Sequence, residues 1–393
     1  MVPNLRFREF SLPWHQTPIK DLLSFQNGIN GGPEQYGKGI KYISVGDILN
    51  NDYITYDKIV GSIDISQETL KNYSVTYGDI LFQRSSEIKD DIGRTNVYLD
   101  KDNTATFGGF VIRGKKIGDY NPSFFSFLLK SPSSRKSIVR LGAGAQHYNI
   151  GQENIKTLSF YFPNEIEQVK IANLLSKIDK RIQTQIKIIE LKQSLIKDIE
   201  DRILWKTANA QTKPIREFLT EINDKSIIQN QYPLLSSTKK GLFLQTDYFN
   251  KEAASSNNIG YKIVHKEDII ISPQNLWMGN ITYNDKFDNG LVSPSYRIYK
   301  VKEEYNAFYI SRIMMSYRAL SLYKNISEQG ASIVRRNLNV DAFNELCFPI
   351  PNIKKQDEVG LFLSKLHQEL KCETWILMQL KNQKNYLLNK MFI

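Results

Sequence analysis

Between Pro163 and Trp205 the apolar residues recur with the period of a helix seam. Leu175, Ile182, Ile189, Ile196 and Ile203 stand seven apart, and Ile171, Ile178 and Ile199 fill three-four positions between them. No Gly interrupts the stretch, and no Pro follows Pro163 within it. The pattern predicts one long coiled-coil helix, opened by an Asn164 N-cap with Glu167 placed to close a capping box. At 1.5 Å per residue such a helix is about 60 Å long, longer than a compact domain is wide. Gln185 and Lys192 fall on the seam, where polar side chains fix register at some cost in stability.

The chain then repeats itself. Pro18-Ile19-Lys20-Asp21-Leu22-Leu23 returns as Pro214-Ile215-Arg216-Glu217-Phe218-Leu219. Gly78-Asp79-Ile80-Leu81-Phe82 returns as Glu267-Asp268-Ile269-Ile270-Ile271, and Ile92-Gly93-Arg94 as Met278-Gly279-Asn280. Residues 124–131 parallel 309–316, and 150–163 align without gaps on 338–351. Beyond them Asn164 matches Asn352 and Gln168 matches Gln356. The offset drifts from 196 at Pro214 to 188 at Pro351, as small loop insertions and deletions produce. The long helix is duplicated too. Val359, Leu366, Leu380 and Leu387 carry one seam line of the second copy, and Leu363, Leu370, Leu377 and Met391 carry the other. Two such helices in one chain are expected to bury their seams against each other, antiparallel.

Within each copy, short β-rich runs punctuated by Gly, Asn, Asp and Ser dominate. They include Lys41-Tyr42-Ile43-Ser44-Val45, Ile80-Leu81-Phe82, Asn96-Val97-Tyr98, Phe110-Val111-Ile112, Ile269-Ile270-Ile271, Ile281-Thr282-Tyr283 and Tyr296-Arg297-Ile298-Tyr299. Two helices per module are expected, near Pro18 to Leu23 and, after an Asn121 N-cap, from Pro122 to Leu129. The fold class is α+β. Two similar α/β modules on twisted, mostly antiparallel sheets are separated by two long antiparallel coiled-coil helices, with pseudo-two-fold symmetry. The boundaries fall at 1–163, 164–207, 208–351 and 352–393.

Composition adds little until charge is considered. The 393 residues are 41% hydrophobic and 24% charged, as in ordinary globular proteins. A net charge of +11 favours a polyanionic partner, nucleic acid before membrane. Cys347 and Cys372 are isolated, so neither a zinc site nor a disulfide framework is indicated, and a reduced, cytoplasmic setting is expected. The opening MVPNLRFREF lacks the apolar core of a signal peptide, and no stretch is apolar enough to span a bilayer.

Catalytic patterns fail on inspection. Gly32 to Gly39 has the glycine and lysine spacing of a phosphate loop, but Gly39 replaces the magnesium-binding hydroxyl and a strand follows in place of a helix. Asp79, Glu87 and Lys89 have the order of a metal-dependent nuclease set, yet the second copy keeps only Asp268. Asn121-Pro122-Ser123-Phe124 resembles an adenine-binding methyltransferase motif with the wrong third residue, and no cofactor turn accompanies it. His15, His147, His265 and His367 are scattered, and no nucleophile elbow is present. The residues argue for binding without catalysis.

Two similar modules on a rigid spacer suit a reader of split DNA sites. One module reading a few base pairs discriminates weakly, since each good bidentate base contact is worth only about 1–3 kcal/mol. Joining two multiplies selectivity, and half-sites one DNA turn apart would lie about 34 Å from centre to centre. Candidate contacts lie on loops that differ between the copies. In the first copy they are Gln83, Arg84, Ser85 and Ser86 after a strand, Arg94, and Gln146, His147, Tyr148 and Asn149 after the flexible Gly142-Ala143-Gly144. In the second they are Gln274, Asn275 and Trp277, with Arg335, Arg336 and Asn337. Arg, Gln and Asn make bidentate base contacts, and glycines let backbone approach phosphate.

These residues resemble a known family. The opening Val2-Pro3-Asn4-Leu5-Arg6-Phe7, the Gly78-Asp79-Ile80-Leu81 turn, the glycines before Gln146, and above all Pro163, Gln168, Ile171-Ala172, Leu175 and Ile178-Asp179 look like the specificity subunit of a type I restriction-modification system. The second copy departs where Lys355 replaces the capping glutamate and Val359-Gly360 the Ile-Ala pair. The resemblance implies two target recognition domains, each reading half of a split double-stranded DNA site. It implies that the helices space them and dock two methyltransferase subunits, which use S-adenosylmethionine. It further implies a restriction subunit using ATP and magnesium, with no cofactor and no catalysis in this chain. Two other readings remain open at this point: a metal-dependent nuclease built on Asp79, Glu87 and Lys89, and a stand-alone coiled-coil DNA-binding adaptor.

Overall fold

The computed structural model describes residues 1–207, 209–239, 241–248, 257–329 and 336–393. They divide into two units, Met1–Ile186 with Trp375–Ile393, and Lys187–Thr374. The first long helix, Glu165–Trp205, and the second, Ile353–Lys390, each contribute to both units.

In the first unit an antiparallel sheet has the order Leu23–Asn27, Val111–Lys116, Ile80–Gln83, Thr95–Val97. Its strand Ile80–Gln83 has both faces covered, and Ile80, Leu81 and Phe82 are wholly buried. That explains an apolar run with no alternation. The second unit builds the same sheet from Leu219–Ile222, Arg297–Val301, Ile269–Ile271 and Ile281–Tyr283, again antiparallel and in the same order. Each module closes on itself in the same way. His15–Pro18 pairs with Ser159–Phe162 in the first, and Gln211–Pro214 pairs with Cys347–Ile350 in the second.

The repeated residues do the same work in each unit. Asn121 Oδ1 accepts from Phe124 N at 3.0 Å, capping helix Pro122–Lys130, and Asn306 Oδ1 accepts from Tyr309 N at 2.8 Å, capping Ala307–Met314. Gln168 accepts from Asn121 N at 2.9 Å and donates to Pro163 O at 3.0 Å. Gln356 accepts from Asn306 N at 3.0 Å and donates to Pro351 O at 2.8 Å. Both glutamines are buried, so each module is tied to its long helix by an amide whose polar ends are satisfied.

The two long helices run antiparallel within each unit. In the first, Leu175 and Ile171 share a core with Leu388 and Met391, and Asp179 pairs with Lys384. In the second, Lys192 bridges Glu373 at 2.8 Å and Glu369 at 3.5 Å, and Leu204 shares a core with Val359 and Leu363. Along the seam Leu175, Ile178, Ile182, Ile189, Ile196 and Leu363 are buried, while Ile203, Leu366, Leu370, Leu377, Leu380 and Leu387 are partly buried. Lys192 holds its seam position by reaching acidic partners on the facing helix.

Three local expectations need correction. The helix expected at Pro18 to Leu23 is a single turn, Ile19–Leu22, because Leu23-Ser24-Phe25 already follows strand alternation. A helix at Pro132–Val139 follows Pro122–Lys130, capped by Ser131 with Pro132 at its first position. Asn164 does accept from Glu167 N at 2.9 Å, but the Glu167 carboxylate turns to Arg6 and Trp14 Nε1.

Candidate nucleic-acid interface

In the first unit two candidate loops meet. Chain leaving the buried strand Ile80–Gln83 forms Ser85–Ser86, which pairs with Tyr148–Asn149. Ser85 Oγ donates to Asn149 Oδ1 at 2.5 Å, and Ile150 N donates to Arg84 O at 3.0 Å. Arg84 is anchored by Nη1 on Gly109 O at 3.2 Å, beside the exposed ring of Phe110. Gln83 is buried and donates to Ser85 O at 2.9 Å, so it props the loop from beneath. Gln146 and His147 are exposed on the returning turn. There Gly144 adopts φ +133°, and a Cβ would strike His147 O at 2.0 Å. Arg94 O accepts from Gln83 N at 2.8 Å, and its side chain lies in an exposed ion pair with Asp91 at 2.6 Å.

In the second unit the equivalent strand Ile269–Ile271 leads into Gln274, Asn275 and Trp277. The Arg336 guanidinium stacks 5.0 Å from the Trp277 ring centroid, and Arg336 N donates to Gln274 O at 3.2 Å. Arg336 Nη1 reaches Lys324 O and Ser327 O, both at 3.4 Å. Asn337 is exposed in strand Arg336–Leu338, opposite Glu328. Arg335 lies outside the described residues. Two stretches about 60 residues apart in sequence thus form one aromatic and cationic tile.

Beside that loop lies a cavity of about 590 Å³ lined by Glu221, Asn223, Lys262, Pro273, Pro294, Ser295, Tyr296 and Arg297. Arg297 Nη2 sits 3.3 Å from Glu221, while its Nη1 is buried with no hydrogen-bond partner among the described residues. Lys262 is 8% exposed. Burial pushes its ammonium below the ordinary value, with Glu221 opposing and Arg297 and Lys225 adding to the shift. Two cations against one carboxylate leave unspent positive charge, suited to an anionic group. Sequence reasoning missed this trio. The available signal was a basic residue opening a β-rich run, in Lys262-Ile263-Val264, and another inside Tyr296-Arg297-Ile298.

The nuclease triad does not assemble. Asp79 is 1% exposed and its two oxygens accept from Thr76 N at 3.0 Å and Lys116 N at 2.9 Å. Burial raises its pKa above the ordinary carboxylate range, with the backbone donors opposing. Glu87 and Lys89 point to solvent beyond the strand. Asp268 repeats the arrangement, accepting from His265 N at 2.7 Å with its pKa pushed up by burial to about 6. Both aspartates clamp a turn before a buried strand. Among the described residues no three His, Cys, Asp or Glu side chains converge to hold a metal ion.

Residues 13–193 match the family model of the type I restriction modification DNA specificity domain. Over those residues, the first module and the start of the first long helix, the chain is similar to that domain. A protein of Methanocaldococcus jannaschii described as a type I restriction enzyme specificity subunit is 23% identical, over 96% of this chain and 92% of its own length. The crystal structure of a type I restriction-modification S subunit from M. genitalium shares the fold. Its TM-score is 0.58 at 17% identity, over 100% of this chain and 99% of that one. A chain from a structure of type I restriction-modification complex assembly also has a TM-score of 0.58, at 9% identity and 97% coverage of each. The paired loops and the Trp277–Arg336 tile follow matching strands of two matching sheets.

Proposed function

We propose that this chain is the DNA-reading subunit of a type I restriction-modification complex, and that it acts by recognition, without catalysis of its own. One observation carries the reading. The same four-stranded sheet occurs twice, and the same central strand in each feeds a loop of different polar and aromatic side chains. A kept framework with altered loops is what two different half-sites require.

In this reading residues 1–163 and 208–351 are target recognition domains. Arg84, Ser85, Ser86, Gln146, His147, Tyr148 and Asn149 face one half-site, and Gln274, Asn275, Trp277, Arg336 and Asn337 the other. Gln83 supports its loop from below. Arg297, through its unsatisfied Nη1, and Lys262 hold a phosphate beside the second loop, as cationic side chains do at a DNA surface. The helix pair, 164–207 with 352–393, fixes the spacing of the half-sites. Exposed apolar side chains on it suit docking of two methyltransferase subunits: Leu191 and Leu195 in the second unit, Trp375, Ile376 and Met378 in the first. S-adenosylmethionine, ATP and magnesium belong to partner subunits. No helix among the described residues is long and apolar enough to cross a membrane.

Selection from a random DNA pool by the chain complexed with its methyltransferase subunit tests the reading. The expected outcome is a split motif, two short defined blocks around an undefined gap. A single contiguous motif rejects it. Cleavage by the purified chain alone that Glu87→Ala abolishes would restore the nuclease alternative.

A further inference from the structure

The offset of 188 carries the first long helix onto the second and reveals a face that one unit covers and the other leaves open. In the first unit the non-helical residues 1–14 lie on the start of the first long helix. Arg6 donates to both oxygens of the fully buried Glu167, from Nε and Nη2 at 2.7 Å each. Glu9 pairs with Lys170, whose ammonium also lies 4.7 Å from the Phe7 ring centroid. Leu5 N donates to Lys390 O at 2.8 Å. A short segment thus meets the helix face through a cation, an aromatic ring and a carboxylate.

The matching face of the second unit holds Lys355, Glu358 and Phe362 where the first has Glu167, Lys170 and Leu174, with Arg202 where the first has Lys390. Gln168 and Gln356 make the same two hydrogen bonds, which fixes this register. Residues that precede Gln211–Pro214 as 1–14 precede His15–Pro18 are mostly the last turns of the first long helix, so they provide no covering segment. A groove of about 480 Å³ remains, with Val359 on its floor and Phe362 45% exposed at its edge. Among the described residues the Lys355 and Glu358 side chains form an ion pair only with each other, at 3.1 Å across one helical turn. Such an exposed pair is weak and readily exchanged.

The sign of charge is reversed between the two faces. We propose that this groove docks a short non-helical segment of the methyltransferase subunit, bearing a carboxylate for Lys355 and an apolar side chain for Phe362. That segment is the charge-reversed counterpart of residues 1–14. The proposal rests on the reading of this chain as one subunit of an assembly. A second copy of the chain does not fit, because its own segment would set Arg6 against Lys355. Arg202, Lys206 and Lys355 line the groove against Glu358, so its charge suits an anionic partner, and the apolar floor of Val359 with Phe362 favours a peptide over a DNA backbone.

The test uses the full chain complexed with its methyltransferase subunit, with a photoreactive benzophenone amino acid in place of Phe362. Irradiation should join the two proteins, with the crosslink mapping beside an Asp or Glu in a non-helical segment. Lys355→Glu should weaken the complex about tenfold or more, as reversal of a complementary charge does, and reversing that acidic residue in the partner should restore it. Lys355 and Phe362 are half exposed, so these variants keep the fold, which circular dichroism checks. Crosslinks only to DNA, only to a second copy or to nothing, in a complex that still methylates, overturn the proposal. So does a Lys355→Glu complex of unchanged affinity. A complex that crosslinks as expected but selects no split motif would instead defeat the reading of function.

Discussion

In the first unit Asp179 on the first long helix pairs with Lys384 on the second, and Lys130 from the globular module lies close by. The matching positions of the second unit hold His367, Ile196 and Met315. There the charges stand where the first unit has Leu388 and Phe127. Glu200 accepts from Arg312 at 2.6 and 2.9 Å and contacts His367 at 2.8 Å. Both units therefore close the junction of module and helix pair with a buried ion cluster, sharing the position of Asp179 and His367 and otherwise built from different ones. What the repeat preserves is the junction's need for paired charge. Which residue supplies it has drifted.

The two clusters are unequal. Burial pushes the Asp179 carboxyl above its ordinary value, and its bond to Lys384 does not fully offset this. Burial pushes Glu200 up as well, but hydrogen bonds from His367 and Arg312 outweigh it and hold the carboxyl below its ordinary value. Glu200 is thus well paired in its charged form, whereas Asp179 is strained in its own.

The largest contrast expected between the units is at the covered face. Arg6→Ala strands the buried Glu167 and should cost about 3–5 kcal/mol, read as a lowered urea midpoint. Its counterpart Lys355→Ala should stay within about 0.5 kcal/mol. Equal losses would break the contrast. Next come the clusters. Glu200→Gln should cost about 3 kcal/mol, and Asp179→Asn about 1 kcal/mol or less. The pH dependences should have opposite signs. Glu200 contributes stability present above its ordinary value near 4.5 and lost as pH falls below it. Asp179 takes stability away as pH rises through its elevated value, so Asp179→Asn should flatten that slope. The smallest effect concerns reading. Trp277→Ala removes the platform under Arg336 and should relax one half-site by about 1–3 kcal/mol, measured by competition binding of the assembled complex, with the other half unchanged.

Local signals were legible in the sequence because they need only neighbours. The seam period marks a helix face, Asn121 caps the helix that follows it, and the matched Gln168 and Gln356 reveal the duplication through chemistry confined to a few residues. Contacts made across long separations were not legible. Arg6 meets Glu167 from 161 residues away, and no spacing rule announces it. Glu167 looked like the second half of a capping box because that is its local option, and the buried guanidinium outcompetes it. Trp277 and Arg336 were each candidate contacts, but their stacking exists only in the folded chain, as does the convergence of Glu221, Lys262 and Arg297.

The most direct test of two independent half-site readers is an exchange of residues 1–163 for those of a relative with a different target. The assembled complex is then mapped by genome-wide methylation. One half of the methylated motif should change, while the other half and the gap stay as they were. A motif changed in both halves, or in neither, would contradict the account.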